Sequence, residues 1–239
     1  MHTLKPSFII EAYMPDMEKV IEAAGRTCWK SEDKICEGSA EPFIERLKNV
    51  KHESVLEHGY ITVRFVMDRG VSHEIVRHRI ASFSQESTRY ANYGKDKFGS
   101  EISVIDPFFF DINEERKPLV LPKINYNSYM ARAELRPDMG VEVMMNSFDV
   151  WFLTCLWTEW GYMTLLKEFG RTPQEARSVL PNSLKTEIVV SANVREWRKI
   201  LQLRCDRAAH PQMREIMIPL REEFASRWPV LFTEKEVVC

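Results

Sequence analysis

Between Val143 and Trp160 the chain carries Val143, Met144, Phe148, Trp151, Phe152, Cys155, Leu156 and Trp160, leaving little of a helical circumference polar. A helix apolar on nearly all sides is buried inside a domain or against another subunit. The pattern around it predicts a mostly helical part over 124–170, within one domain spanning 1–239. That length is enough for a single substantial core.

The flanking sequence mixes two periods. SFIIEAY (Ser7–Tyr13), YITVRFV (60–66) and TEIVVSAN (186–193) read as strands, the second by strict alternation. Residues 16–29 read as a helix with Met17, Val20, Ile21 and Ala24 on one face. Pro42 opens a short helix, MDRG ends the 60–66 strand, and SHEIVRHR reads as a short helix starting at Ser72. Thr172-Pro173-Gln174-Glu175 marks a helix that ends near Leu180-Pro181, and Asn193 with Glu196 starts another, VREWRKILQLRCD. A last helix runs over 211–228, with a bend expected at Pro219. The Gly- and Pro-marked stretch 91–123 reads as a loop or insertion near a site.

Thirty-three Lys and Arg against 35 Asp and Glu give a net charge of −2, so no global basic field favours nucleic acid. The cysteines Cys28, Cys36, Cys155, Cys205 and Cys239 are odd in number and lack a CxxC pair, which suits reduced thiols in the cytoplasm. The first residues lack a basic start followed by an apolar run, and VWFLTCLWTEW meets Glu159 well short of about 20 residues. Neither export nor a membrane span is expected.

HEIVRHRIASFSQESTRY, residues 73–90, concentrates the polar chemistry. It admits a metal site, a nucleic-acid patch or a pocket for a phosphorylated ligand. His73 and His78 are five positions apart and diverge by about 140° on a helix, not the roughly 40° of a HExxH zinc site. His52 and His58 in HESVLEH, six apart, fail likewise, so no metal is expected. Arg77, Arg79 and Arg89 among Ser82, Ser84, Ser87 and Thr88 offer forked donors and hydroxyls suited to phosphate oxygens. Pairing of these arginines with Glu74 and Glu86 on a solvated face is the plainer reading. Arg177, Arg195 and Arg204, beside later helix starts, could converge on the same anion.

RHRIASFSQESTRY resembles the signature of the flavin-dependent thymidylate synthases: Arg77-His78-Arg79, then Ser87 after seven residues, followed by Thr88-Arg89-Tyr90. HESVLEH upstream, and EARSVLP, SANVREW and LQLR downstream, resemble the family's other blocks in order, covering roughly residues 45–220. The resemblance implies an α+β fold, with an antiparallel β-sheet flanked by helices and a helical subdomain. It also implies a homotetramer with active sites where subunits meet. The implied reaction is C5 methylation of dUMP to dTMP, with methylenetetrahydrofolate giving the carbon, FAD carrying hydride and NADPH reducing the flavin.

By position, Ser54, Arg77, His78, Arg79, Gln85, Asn193, Arg195 and Lys199 would contact FAD. Glu74, Arg77, Gln85, Glu86, Ser87, Thr88, Arg89, Arg177 and Arg204 would hold dUMP. Arg204 would be catalytic, facing the uracil ring and stabilising the charge that develops there, while Arg89 and Arg177 meet the 5′-phosphate. Ser87 would position rather than attack, and His52 would lie by the flavin on the folate side. Relatives often carry Glu at the position of Gln85 and Gln at that of Glu74. Extra residues separate Arg204 from His210, whose role is left open. Two alternatives remain: a family member that methylates another pyrimidine nucleotide such as UMP, and a non-catalytic nucleic-acid-binding protein.

Overall fold

The computed structural model describes residues 1–127 and 132–233, with the backbone alone over 122–127 and 132–139; Cys239 lies outside this range. The chain runs β1 (His2–Leu4), β2 (Ser7–Tyr13), α1 (Met17–Trp29), α2 (Ala40–Asn49), β3 (Tyr60–Asp68), α3 (Arg69–Ile75), β4 (Ala81–Gln85) and β5 (Ser103–Ile105). It continues through β6 (Lys117–Asn127), β7 (Arg132–Met145), α4 (Ser147–Lys167), α5 (Pro173–Ala176), β8 (Lys185–Asn193), α6 (Val194–Arg204), α7 (Pro211–Arg227) and α8 (Pro229–Phe232).

The central sheet has the order β2-β3-β8-β4, antiparallel throughout. Period-two alternation turns Ile61, Val63, Phe65 and Met67 of β3 and Ile188, Val190 and Ala192 of β8 to the same buried face. That face packs against Met17 and Ile21 of α1, Ile44 of α2, Trp197 and Ile200 of α6, and Met213, Leu220 and Phe224 of α7. Trp197 is fully buried and donates its indole N–H to the Ile61 carbonyl at 2.9 Å, so its one polar atom is satisfied.

The other sheet face stays open. Arg64 crosses it, bonded to Glu11 at 2.5 Å and to Glu187 at 3.5 Å. A second, smaller cluster gathers Tyr93, Ile102, Val104, Cys155, Tyr162, Ala176 and Leu184 where α4 meets the 91–105 segment.

Two expectations fail here. Residues 124–127 and 132–145 are not helical, and 91–123 is not all loop: β6 and β7 pair as two long antiparallel strands. Pro118, Pro122 and Pro137 interrupt any helix, whereas Val141 and Val143 favour strand. Pro122 falls in the interval where the register shifts, between Leu121 and Lys123, a position a ladder can give to a residue without an N–H. Gly140 sits where a Cβ would lie 2.2 Å from the Leu121 carbonyl oxygen, so the close approach of the two strands requires glycine.

The helix that follows starts at Ser147, capped by Asn146 and Asp149, which exchange backbone and side-chain bonds at 2.9 and 3.1 Å. It buries only Cys155 and Tyr162 fully, while Trp157 and Trp160 are 69% and 62% exposed. The strand expected at 60–66 extends to Asp68. MDRG is therefore a strand-to-helix junction, and Asp68, not Ser72, caps α3 by accepting from the Val71 N–H at 3.0 Å. Arg77-His78-Arg79 lies beyond the helix in a turn.

Candidate active site

The site begins at the turn between α3 and β4. His78 is only 5% exposed there and bridges two other elements. Its Nδ1 lies 3.2 Å from Glu196 Oε1 in the first turn of α6, and its Nε2 accepts from Arg204 Nε at 3.1 Å at the other end of that helix. An arginine can only donate, so Nε2 is unprotonated and the Nδ1–H points to Glu196. Burial, then the neighbouring Arg204 charge, lowers the pKa of His78 below its usual 6.5, which keeps the ring neutral at pH 7.

Arg204 also donates through Nη1 to Glu74 Oε2 at 3.2 Å and through Nη2 to the Glu74 carbonyl at 2.7 Å. These bonds account for three of its five N–H groups among the described residues. The guanidinium is thus held rigid with donors left for a ligand.

Beside Glu196 lies a cleft of about 570 Å³ bordered by the bases Lys51, Arg195, Arg198 and Lys199, by the acids Glu53 and Glu57, and by Ile80 and Asn193. It opens at the N-terminus of α6, where the dipole favours negative charge. Asn193 accepts from the Glu196 N–H at 2.8 Å as the helix cap, and Arg195 donates to Glu57 at 2.6 Å. Ser54 is exposed in the 3₁₀ turn Glu53–His58, and Arg77, Arg79 and Lys199 are exposed as well. A larger groove, about 730 Å³, is also bordered by Arg198 but contains none of the sequence-predicted site residues.

At the far end of β4 stands a second group. β4 carries the chain roughly 13 Å from Ala81 to Gln85, at about 3.3 Å per residue. Gln85 donates to Ser72 Oγ at 2.7 Å and to Thr186 Oγ1 at 3.3 Å, so both amide hydrogens are used inside the fold. Glu86 is engaged on both oxygens, by the Tyr93 hydroxyl at 2.9 Å and the Lys185 ammonium at 3.0 Å. Burial followed by the Glu86 charge pushes the Tyr93 hydroxyl far above its usual pKa, so it stays a donor.

Thr88, 4% exposed, accepts from Arg177 Nη1 at 3.4 Å, which brings the later arginine to the Ser87–Arg89 loop. Ser87 Oγ accepts from the Arg89 N–H at 3.3 Å, and the exposed Arg89 guanidinium lies 5.5 Å from the Tyr90 ring centre. The candidate residues thus fall into two groups, one built on Glu74, His78 and Arg204 and the other on Gln85, Glu86, Thr88 and Arg177.

His52 packs edge-on against Trp29, with ring centres 6.2 Å apart. His210 caps α7, its Nδ1 accepting from the Gln212 N–H at 3.3 Å, and faces Phe109. Among the described residues, no three His, Cys, Asp or Glu side chains could share a metal ion, and no helix is long and apolar enough to cross a membrane. Sequence reasoning missed the partners Glu196, Tyr93, Lys185 and Glu57. Only Glu196 left a signal, its place three residues after a cap.

Comparison with known proteins matches these features to one family. The family model described as Thymidylate synthase complementing protein matches residues 10–230. The flavin-dependent thymidylate synthase of Geobacter sulfurreducens is 27% identical over 234 residues, covering 95% of this chain and 85% of its own. That of Corynebacterium aurimucosum is 29% identical, covering 92% and 80%. Among solved structures, thymidylate synthase X from Helicobacter pylori with FAD and dUMP aligns with a TM-score of 0.67 at 25% identity, over 95% of this chain and 97% of that one. The UMP/dUMP methylase PolB from Streptomyces cacaoi shares the fold with a TM-score of 0.69 at 21% identity, over 97% and 95%. With the family model spanning nearly the whole chain, the protein belongs to the Thymidylate synthase complementing protein family, that of the flavin-dependent thymidylate synthases.

Proposed function

We propose that the protein makes dTMP from dUMP, taking the carbon from methylenetetrahydrofolate and reducing equivalents from NADPH through FAD. The observation that carries this reading is the hydrogen-bonded chain Glu74–Arg204–His78–Glu196, whose last member borders the cleft at the start of α6. The cleft suits FAD by its donors: a helix N-terminus with Arg195 and Lys199 in its first turns, and Lys51 opposite, match a diphosphate. Ser54, Asn193, Arg77, His78 and Arg79 would complete the flavin site, with Gln85 at its edge. Bound FAD supplies the hydride that turns the transferred carbon into a methyl group.

The remaining work falls to the protein. Arg89 and Arg177 hold the 5′-phosphate, with Ser87 and Thr88 as positioning hydroxyls. Glu86 and Gln85, anchored by Lys185, Tyr93, Ser72 and Thr186, fix the loop that carries them. Arg204, aimed by Glu74 and His78, faces the uracil and stabilises negative charge in the ring as the C5 bond forms. Because Arg204 is preorganised, little reorganisation is needed during the step.

The working unit is a homotetramer with active sites completed across subunits. Supporting this, α4 leaves Trp157 and Trp160 exposed, and the β6–β7 pair leaves Leu119, Val120, Leu121, Val141 and Met144 exposed, more apolar surface than a monomer ordinarily leaves in water. The reading is tested by the visible spectrum of the purified protein, which should show bound flavin and change when dUMP is added. A colourless protein that neither takes up FAD nor binds dUMP contradicts it.

A further inference from the structure

Glu196 departs from what its position predicts. It occupies the third residue of α6, the place from which an acid normally returns a bond to the cap's backbone N–H. At the other two well-marked helix starts this happens: Asp149 takes the Asn146 N–H at 3.1 Å, and Glu175 takes the Thr172 N–H at 2.8 Å. The Glu196 N–H donates to the Asn193 cap oxygen as expected, yet the Glu196 carboxylate turns to His78. Both side chains are 4% exposed, so the carboxylate has exchanged solvent for one imidazole N–H.

The imidazole passes this constraint on. With Glu196 fixing the proton on Nδ1, Nε2 is left as an acceptor for Arg204 Nε. The other tautomer, or the imidazolium, would set an N–H against the guanidinium N–H and push Arg204 off its aim.

We propose that Glu196 is a positioning residue for the methylation: through the His78 tautomer it sets the orientation of the Arg204 guanidinium toward the pyrimidine. The inference rests on the placement of Arg204 at the pyrimidine under the proposed function. The groups facing His78 are Glu196 on Nδ1, Arg204 on Nε2, Lys199 from the same helix and Glu74 across Arg204, with Arg77 and Arg79 exposed beside it.

The test uses the full-length flavin-loaded enzyme and its Glu196→Ala and Glu196→Gln variants, with turnover of dUMP measured from pH 5 to 8. Glu196→Ala should lose kcat by roughly 100-fold, the scale of a misaligned catalytic group, with KM for dUMP changed by less than about threefold. Glu196→Gln should recover most of that loss, because its amide oxygen still accepts the Nδ1–H. The acid limb of its rate profile should also move to lower pH, because the carboxylate that favours the imidazolium is gone. A helix-stabilising role alone would move neither the limb nor the split between kcat and KM.

Should Glu196→Ala not fold, the Glu196→Gln profile decides: an unmoved acid limb overturns the inference. So does a Glu196→Ala enzyme with wild-type kcat, or a Glu196→Gln enzyme as damaged as the alanine variant. A wild type that binds FAD and turns over dUMP while the variants behave like it sinks the inference alone. A wild type inactive on dUMP sinks the functional reading beneath it.

Discussion

Thr88 and Arg177, 89 positions apart in sequence, meet through a hydrogen bond from the guanidinium Nη1 to the threonine hydroxyl at 3.4 Å. The bond is long, so the arginine is placed rather than clamped, and among the described residues most of its donors stay available to an anion. That arrangement suits a group whose work begins when a phosphate arrives.

Replacing Arg177 with alanine should therefore act on binding. A charge-assisted bond contributes about 1.5–3 kcal/mol, so KM for dUMP should rise by roughly 10- to 100-fold while kcat changes much less. Thr88→Val should show a smaller rise. Steady-state kinetics across ionic strengths checks both, and the Arg177 variant should show the weaker salt dependence.

Arg204 makes the opposite prediction. Lysine keeps the charge but loses the fork that bonds His78 and Glu74 together and, in the proposed role, leaves donors for the pyrimidine. Arg204→Lys should lower kcat by about 100- to 1,000-fold with a smaller effect on dUMP affinity, separable by single-turnover kinetics and equilibrium binding.

Core packing gives a prediction independent of function. Trp197 is fully buried against Phe65 and Phe224. Trp197→Ala removes that volume and the indole's bond to the Ile61 carbonyl, a loss of about 3–5 kcal/mol readable as a lowered urea midpoint.

Lys185 sits between Glu86 and Glu187, bonded at 3.0 and 2.6 Å. The bond from Lys185 lowers the pKa of Glu187 below its usual 4.5. A depressed carboxylate pKa adds stability that is present above 4.5 and is lost as pH falls through the folded value. The stability gap between wild type and Lys185→Met should thus be widest near neutral pH and narrow below about pH 4.5. Urea titrations between pH 3 and 8 measure it. Because Glu187 is 40% exposed, the narrowing should be modest.

The exposed tryptophans of α4 test the assembly. Trp157 and Trp160 stack edge-to-face with ring centres 5.7 Å apart, on a helix that the chain's own core covers poorly. Under the proposed homotetramer, Trp157→Glu should shift the protein to smaller species in light scattering and cost activity in proportion.

The central strands and α1 were legible because alternation and caps are local signals: β3 and β8 alternate cleanly, and Asn193 with Glu196 marks the start of α6. The pairing of β6 with β7 was not, since Met and Val at mixed spacing imitate a helix. β4, ASFSQ, is too short and polar to announce a strand, and it forms because β8 supplies a partner. The residues proposed for the site come from the family resemblance. Their wiring was not legible, because the His78–Glu196 and His78–Arg204 contacts span 118 and 126 positions and no pattern within one segment encodes them.

Tritium release from C5-labelled dUMP tests the central claim most directly. The enzyme should release it only when FAD, a reductant and methylenetetrahydrofolate are all present, with dTMP formed in equal amount. Release without folate or flavin, or no dTMP from a folded, flavin-loaded protein, would contradict the account.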